Sequence, residues 1–395
     1  MKSKFQRNIL LLYLYSFFNK RVAVPILIIY FLLNHLNYTQ IGVLAAITSI
    51  IWFATEVHGG IFADIHGKKY SLILCSVFGI LTMFFYFIGN SFSYFLIASI
   101  MYGLSGAFIT GTRNALLYDS LSRMDRTEDF KKYNGRMVLF SHLFNAIVLL
   151  FIPLIYNFNT KLPFLIGIGF FLASLVVSLF FVEPPLTRKS KVTLSAYNLK
   201  LVESLKEVWA NKKLISILIL TMVTTAFVLT GEKFIQPLLQ ITGLPVIYFG
   251  VIYCLMRIIK GIGAEINHRL EKVFGIKTLL FVGIIAMIVG FAGFSLGTSY
   301  IIISIAVILI TFAEGFNRIT LEDEMNKNIT SGNRTTILSI SSLQSELFYA
   351  LIILVFGITA DITGVQEMFK YVILAFVICT AIALIFIRKT SRKHP

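Results

Sequence analysis

Ionisable side chains interrupt several stretches of this chain that are otherwise apolar. An ionised group at the centre of a lipid bilayer costs about 2.5–3.5 kcal/mol on insertion scales, so such groups must border water or one another. A carboxyl group in this setting can gain and lose a proton, and a cation can hold an anionic ligand. The acidic groups are Glu56, Glu232, Glu265, Glu314 and Glu346, and the basic groups are Lys20, Arg21, Arg113, Lys233, Arg257, Lys260 and Arg318.

The elements that carry these groups are long hydrophobic segments. The chain has 395 residues, of which 57% are hydrophobic and 14% charged, whereas a globular domain is about half apolar and a quarter charged. About 20 apolar residues cross a bilayer, and continuous runs without two-residue alternation favour helices over a barrel. The runs predict twelve transmembrane helices, at 9–34, 40–63, 70–89, 92–120, 135–156, 162–182, 213–240, 246–268, 276–296, 299–321, 334–359 and 366–388.

The basic residues are concentrated on one side of these predicted helices. The net charge is +16, yet the loops of one side hold only Lys161 and Lys370. This asymmetry follows the positive-inside rule and predicts that both termini lie in the cytoplasm. Basic loops beside anionic lipid account for the charge without a nucleic-acid partner. Enrichment in Phe, Ile, Asn and Lys is typical of a bacterial protein, so we expect a multi-pass protein of the bacterial cytoplasmic membrane.

Nothing in the sequence predicts a metal site, a cofactor or catalytic chemistry. The three cysteines, Cys75, Cys254 and Cys379, fall within predicted spans and are too scattered to form a metal site or a disulfide framework. No nucleophile–base set and no phosphate-binding loop is evident. We therefore expect a protein that is not an enzyme. Its expected partners are a small-molecule substrate, protons and the lipid bilayer. We also expect it to be a monomer.

A polar, basic stretch divides the chain once. It begins at Glu183-Pro184-Pro185, and the apolar spacing from Leu199 to Trp209 predicts a short amphipathic helix on the cytoplasmic surface. The sequence therefore predicts an N-terminal six-helix bundle at 1–183, a cytoplasmic linker at 184–212 and a C-terminal six-helix bundle at 213–395.

Three short patterns recur in the same order in the two halves. Such recurrence predicts two parallel six-helix repeats with a site where the repeats meet. The matched patterns are Gly60 and Asp64 with Gly261 and Glu265, Arg113 and Asp119 with Arg318 and Glu324, and Asn134-Gly135-Arg136 with Gly332-Asn333-Arg334.

A charged turn joins the second and third predicted spans. It reads Gly60-Ile-Phe-Ala-Asp64-Ile-His-Gly67-Lys68-Lys69, and it resembles the signature loop of the major facilitator superfamily of secondary transporters. The resemblance implies an all-α membrane protein in which twelve transmembrane helices form two pseudo-symmetric six-helix bundles around a central cavity. It also implies transport by alternating access.

The same resemblance assigns a gating role to the turn. In the family, this loop latches the inner gate while the cavity faces outward. Gly60 is expected to let helices approach closely, and Gly67 to allow the tight turn. The lysines can reach Asp119 at the end of the fourth predicted span. The expected gating residues are Gly60, Asp64, Gly67, Lys68, Lys69 and Asp119.

Cations on the first, fourth, seventh and tenth predicted spans favour an anionic or zwitterionic substrate, because these spans line the cavity in this family. The alternative is that each cation pairs with a nearby acid, as Glu314 and Arg318 could at i, i+4 spacing. Lys20 and Arg21 would point about 100° apart on a helix, so one of them at most would face the cavity. The candidate substrate-binding residues are Lys20, Arg21, Arg113, Lys233, Arg257 and Arg318.

Proton coupling requires a carboxyl group whose protonation changes during transport. Glu232 is favoured because it can reach Gln236 one turn on and because Pro237 should loosen the helix there. A structural ion pair is the alternative reading of each carboxylate, and His142 is a weaker candidate. The candidate proton-coupling residues are Glu56, Glu232, Glu346 and Glu314.

Residues 111–121 and 334–340 look like those of bacterial drug-efflux members, which favours proton-coupled export of an amphiphilic molecule. The fifth span lacks the glycines that antiporters of this kind carry, so two other transport activities stay open. These are import of an organic anion and multidrug export of neutral or cationic compounds. A membrane scaffold that transports nothing is a third alternative.

Overall fold

A computed structural model describes residues 2–184, 194–330 and 333–391 of the chain. These residues form fifteen α-helices and two short 3₁₀ turns, and they contain no β-strand. The first eight helices are α1 (Lys2–Phe18), α2 (Leu27–Leu33), α3 (Tyr38–His66), α4 (Lys68–Ile88), α5 (Phe92–Ile109), α6 (Thr112–Ser122), α7 (Phe130–Phe158) and α8 (Leu162–Leu179). The others are α9 (Leu194–Ala210), α10 (Lys212–Ile241), α11 (Phe249–Phe274), α12 (Ile276–Leu296), α13 (Tyr300–Lys327), α14 (Arg334–Thr363) and α15 (Val365–Ser391).

Eleven helical segments within the described residues are long and apolar enough to cross a membrane. They coincide with the predicted spans from the second to the twelfth. The predicted first span, 9–34, is interrupted, because the chain leaves the helix between α1 and α2. Pro25 lies in that break; it lacks an N–H donor and disfavours helical geometry at the preceding residue.

The predicted fourth span, 92–120, is also interrupted. Its two pieces, α5 and α6, are separated by Thr110 in an extended conformation and by Gly111 at φ 73°. A positive φ suits glycine because it has no Cβ atom. The break places Arg113 in the first turn of α6, so it lies beside a helix end rather than in the middle of a continuous helix.

Contacts group the chain into two compact units. Unit 1 comprises residues 1–36, 47–191 and 246–254, and unit 2 comprises 37–46, 192–245 and 255–395. Within unit 2 the carboxylate of Asp361 accepts hydrogen bonds from the backbone N–H groups of Tyr38 and Thr39, both at 2.8 Å. The predicted division at 183 and 213 stays a prediction.

Glycines permit close helix crossings inside each unit. In unit 1 a Cβ atom on Gly59 would lie 2.8 Å from the carbonyl oxygen of Ala107. No atom lies within 4 Å of the corresponding position on Gly60. The expectation that Gly60 brings helices together is therefore wrong, because the neighbouring glycine faces α5. In unit 2 a Cβ atom on Gly263 would lie 2.6 Å from the carbonyl oxygen of Phe312.

A helix, α9, occupies residues 194–210 of the predicted linker, and its location on the cytoplasmic surface stays a prediction. The rest of the linker is described only in part. Two residues of the sequence arguments, Pro185 at the start of the polar stretch and Gly332 in the repeated pattern, lie outside the described residues.

Candidate functional site

The charged turn of unit 1 is built around Gly67. Its φ of 107° separates α3 from α4, and the carboxylate of Glu183 accepts the backbone N–H groups of Lys68 at 2.9 Å and Lys69 at 2.7 Å. These N–H groups belong to the first turn of α4, where backbone donors have no acceptor within the helix. A negative charge at this end also interacts favourably with the helix dipole. No sequence pattern indicates this cap, since Glu183 comes more than 100 residues after the turn.

An ion pair joins the turn to the end of α6. The Nζ atom of Lys68 lies 2.7 Å from Asp119, with side-chain exposures of 11% and 37%. The predicted contact between Lys68 and Asp119 is therefore present. Lys69 takes part through its backbone, and Asp64 is exposed without an ion-pair partner among the described residues. The gating role of these residues stays a prediction.

Two cations of unit 1 lie near each other. Lys20 donates a hydrogen bond to the hydroxyl of Ser141 on α7, and its charge is close enough to that of Arg113 for the two to repel. The Nε atom of Arg113 is buried and has no hydrogen-bond partner among the described residues. Within the described part of the chain, neither Lys20 nor Arg113 has a carboxylate within ion-pair distance.

Arg21 points away from this pair. Its guanidinium lies over the ring of Tyr102, 4.0 Å from the centroid, and 5.5 Å from that of Trp52. The predicted angle of 100° between Lys20 and Arg21 assumed a helix, and that assumption is wrong because both residues lie in the break after α1. The two side chains nevertheless diverge, one to α7 and the other to α3 and α5.

Two cations of unit 2, one on α11 and one on α13, have acidic partners. Lys260 forms an ion pair with Glu314, and Arg318 forms one with Glu322 at 2.9 Å. The alternative in which Glu314 pairs with Arg318 is therefore wrong, because each of these residues pairs with a different partner. Gly315 explains the difference, because its missing Cβ atom lets α11 approach at the backbone of Lys260 and bring the lysine to Glu314.

The Glu314 region contains further buried polar groups. The second carboxylate oxygen of Glu314 and both amide atoms of Asn317 are buried without hydrogen-bond partners in the described structure. Glu232 and Thr311 line a small neighbouring cavity of about 10 Å³, and the charges of Glu232 and Glu314 interact. Asn317 was missed at the sequence level, since a lone asparagine in an apolar run carries no distinctive pattern.

The remaining candidates are distributed over both units. Glu56 on α3 is half-buried in unit 1, and His142 on α7 is exposed. Unit 2 holds Lys233, Arg257 and Glu346, all half-buried. Helix α10 continues through Pro237 as far as Ile241. A search of the described residues for three or more clustered metal-ligating side chains finds none.

The fold and sequence of the chain identify its family. The model of the Major Facilitator Superfamily matches residues 9–343, and the chain belongs to that superfamily. It is therefore a secondary transporter of this type, a multi-pass membrane protein with a small-molecule substrate. A relative, the uncharacterized MFS-type transporter YxaM of Bacillus subtilis strain 168, is 24% identical over 352 residues, which cover 88% of this chain and 87% of the relative.

Solved structures show the same fold. A mutant of the nucleoside transporter NupG superimposes with a TM-score of 0.81 at 16% identity, covering 96% of this chain and 99% of that one. A D-xylose–proton symporter gives a TM-score of 0.71 at 14% identity and covers 96% of each chain. These likenesses concern the fold alone, since the substrates of such neighbours differ.

Proposed function

We propose that this transporter exports a small amphiphilic organic anion in exchange for protons, and that Lys20 and Arg113 bind its anionic group. The observation that carries the proposal is the proximity of these two cations without an acidic partner among the described residues. A zwitterion with the same anionic group would satisfy the same site.

The contrast between the units supports this assignment. Like charges held together away from bulk water destabilise each other, and an anion between them relieves the repulsion. In unit 2 a protein carboxylate meets this need for Lys260 and for Arg318. In unit 1 no described carboxylate does, which supports a substrate anion as the counter-ion for Lys20 and Arg113.

Aromatic side chains beside the cations favour an amphiphilic substrate. Arg21 lies over Tyr102, which leaves guanidinium N–H groups for a further acceptor. Near the end of α1, Phe17 stacks on Phe144 with ring centroids 3.5 Å apart. An apolar group on the substrate can contact such rings while its anionic group reaches the cations.

Proton coupling is assigned to the carboxylates of unit 2. Glu232 is half-buried at a small cavity and interacts with Glu314. A change in the protonation of one carboxylate alters the electrostatic free energy of the other. Glu56 and Glu346 are the second choices. The cap of Glu183 on α4 and the pair of Lys68 with Asp119 are the contacts that we assign to the inner gate.

Thermal stabilisation of the purified protein tests the anion site. A panel of matched aromatic carboxylates, phosphonates and amines is screened for a rise in melting temperature. We expect acids to stabilise the protein and the double variant Lys20→Gln, Arg113→Gln to lose at least about tenfold in affinity, since each charge-assisted bond contributes about 1.5–3 kcal/mol. Lys132→Gln, at an exposed position of α7, is the matched control.

Inverted vesicles extend the test to direction and coupling. The stabilising acid should accumulate inside them when their lumen is acidified, and accumulation should stop when the pH gradient is collapsed. Uptake by right-side-out vesicles instead would favour an importer. A panel in which amines stabilise the protein and acids do not would contradict the proposal.

A further inference from the structure

A row of polar side chains runs along α13 over most of its inner length. It comprises Thr311, Glu314, Asn317, Thr320 and Glu324, each three or four residues from the next and therefore its neighbour on the helix surface. At about 100° per residue the row winds about half a turn around α13, so Thr311 and Thr320 lie on opposite sides of the helix. The first four are buried, and Asn317 is only 1% exposed. At 1.5 Å per residue this row is about 20 Å long, a large part of the thickness of a membrane.

Within the described structure, three atoms near the middle of this row lack hydrogen-bond partners. They are the second carboxylate oxygen of Glu314 and the amide oxygen and nitrogen of Asn317. A buried polar atom without a partner costs about 1–3 kcal/mol. Such groups are usually satisfied by an ordered water molecule, which typically makes about three hydrogen bonds. Glu314 and Asn317 are one helical turn apart, a separation that a water molecule can bridge.

The packing around Asn317 keeps its amide in place. A Cβ atom on Gly283 of α12 would overlap the amide group of Asn317. The asparagine therefore fills the space that this glycine leaves free, and a rotation of its side chain is restricted. A fixed amide next to a carboxylate is suited to hold water in a defined position.

The row is continuous with polar groups at both of its ends. On one side, Thr311 and Glu232 line a cavity of about 10 Å³, which has room for about one water molecule and is far smaller than the pockets of about 300–1,000 Å³ that hold drug-sized ligands. On the other side, Thr320 shares a hydrogen bond of 3.0 Å with Asn267. One turn further, Glu324 pairs with Lys213 at 3.0 Å, and the lysine is half exposed.

We infer that the Glu314–Asn317 pair is a bound-water site that relays protons between Glu232 and the Glu324 end of α13. The inference rests on the proton coupling proposed above. In the relay, Glu314 accepts a proton from the bound water while the water regains one from the next polar group. No covalent bond to carbon changes, and Asn317 holds the water without itself becoming charged.

The charged groups that face Glu314 come from three helices. Lys260 projects from α11, Glu232 from α10 and Arg318 from α13 itself. The described part of α12 that packs here contributes Gly283, Met287 and Gly290, which are not ionisable. Lys260 and Arg318 favour the ionised form of Glu314, whereas burial and Glu232 oppose it, so the relay is set by these groups together.

The variant Asn317→Leu tests the relay, because leucine is similar in size but cannot bind water. Transport of the stabilising acid in proteoliposomes is measured in two modes, net flux driven by a pH gradient and substrate exchange at equal pH. We expect net flux to fall about tenfold or more, as for loss of a proton-transfer group. Exchange should stay within about twofold, since substrate binding and reorientation are retained.

Two further variants complete the set. Asn317→Ser keeps a hydroxyl and leaves room for water, so it should retain coupled flux. Thr224→Val removes a buried hydroxyl of α10 that bonds only within its own helix, and coupling should be unaffected. If Asn317→Leu lowers both modes equally, the residue has a packing role and the relay is wrong. Full coupled flux in Asn317→Leu would overturn it as well.

A high-resolution experimental structure distinguishes a failed relay from a failed proposed function. If the wild-type protein shows no proton coupling, the proposed coupling is wrong whatever Asn317 does. Density for a water molecule within hydrogen-bond distance of Glu314 and Asn317, absent in Asn317→Leu, would still support the site. A dry gap between the two side chains in the wild-type structure would refute it.

Discussion

Gly67 combines two constraints at one residue. Its φ of 107° lies in a region that glycine alone adopts readily. A Cβ atom there would also lie 2.9 Å from the carboxyl carbon of Glu183. Replacing the glycine therefore strains the backbone and displaces the group that caps α4.

We expect Gly67→Ala to destabilise the protein by about 1–3 kcal/mol from backbone strain and by about 0.5–2 kcal/mol more if the cap is lost. The measurement is the free energy or the midpoint of unfolding in detergent. Glu183→Gln keeps the shape of the cap but removes its charge, so it should be destabilising by less than Gly67→Ala.

Gly60→Ala is the matched control in the same loop. Gly60 is helical, and nothing lies within 4 Å of the added methyl group. Alanine lowers the conformational entropy of the unfolded chain, so stability should be unchanged or higher by about 0.4–1 kcal/mol. An equal loss of stability in Gly60→Ala and Gly67→Ala would show that the cap of Glu183 on α4 does not contribute to stability.

At the scale of the elements, α9 is attached to the segment that precedes α14. The carboxylate of Glu207 accepts hydrogen bonds from the backbone N–H of Thr330 at 2.7 Å, the hydroxyl of Thr330 at 2.8 Å and the amide of Asn333 at 2.7 Å. Asn211 adds a bond to the carbonyl oxygen of Asn328 at 3.3 Å. One carboxylate thus provides most of the polar attachment.

The attachment of α9 should depend on pH. Partial burial raises the pKa of Glu207, but the hydrogen bonds from Thr330 and Asn333 outweigh it and lower the pKa from its ordinary value of 4.5. Because the folded-state pKa is the lower one, the stabilisation is complete above the ordinary value and is lost as the pH falls through the folded-state pKa. Hydrogen exchange of the α9 amides, corrected for intrinsic rates, measures this loss.

At pH 7, Glu207→Gln should lower the protection of α9 by about twofold to fivefold, since surface hydrogen bonds contribute modestly. The difference from the wild type should disappear at a pH below the folded-state pKa. Glu203→Gln, at an exposed position of the same helix, should have no effect. A wild-type protection that stays constant from pH 7 down to acid unfolding would contradict the attachment through Glu207.

The elements show where sequence reasoning succeeded and where it could not. The apolar runs predicted the spans because lipid requires long hydrophobic helices. The break at Gly111 was not predicted, since a single glycine is tolerated within a helix and its φ is set by tertiary packing. The break in the first span has a stronger sequence signal than the break at Gly111, because Pro25 follows the polar residues Asn19, Lys20 and Arg21.

The same limit applies to the candidate site. The contact of Lys68 with Asp119 could be predicted because both residues lie at span ends on the same side of the membrane. The pairing of Lys260 with Glu314 could not, since it depends on how α11 and α13 are rotated about their axes. The unpartnered amide of Asn317 emerged only from the packed structure.

At the scale of the whole molecule, the distribution of charge predicts the orientation in the membrane. Each Lys or Arg beside anionic lipid contributes about 1 kcal/mol, and cytoplasmic loops hold the excess of these residues. Lys161 and Lys370 are therefore expected outside the cell, and Lys132 and Lys272 inside. All four side chains are exposed, which makes them suitable positions for chemical labelling.

The test places a single cysteine at each of these four positions, in a background where Cys75, Cys254 and Cys379 are replaced by alanine. A maleimide that cannot cross membranes should label positions 161 and 370 in intact cells, and positions 132 and 272 only after permeabilisation. The two pairs control for each other, because all four are surface lysines. The opposite pattern would invert the topology and would place the Glu324 end of α13, with Lys213, outside the cell, which would reverse the direction of the proton relay.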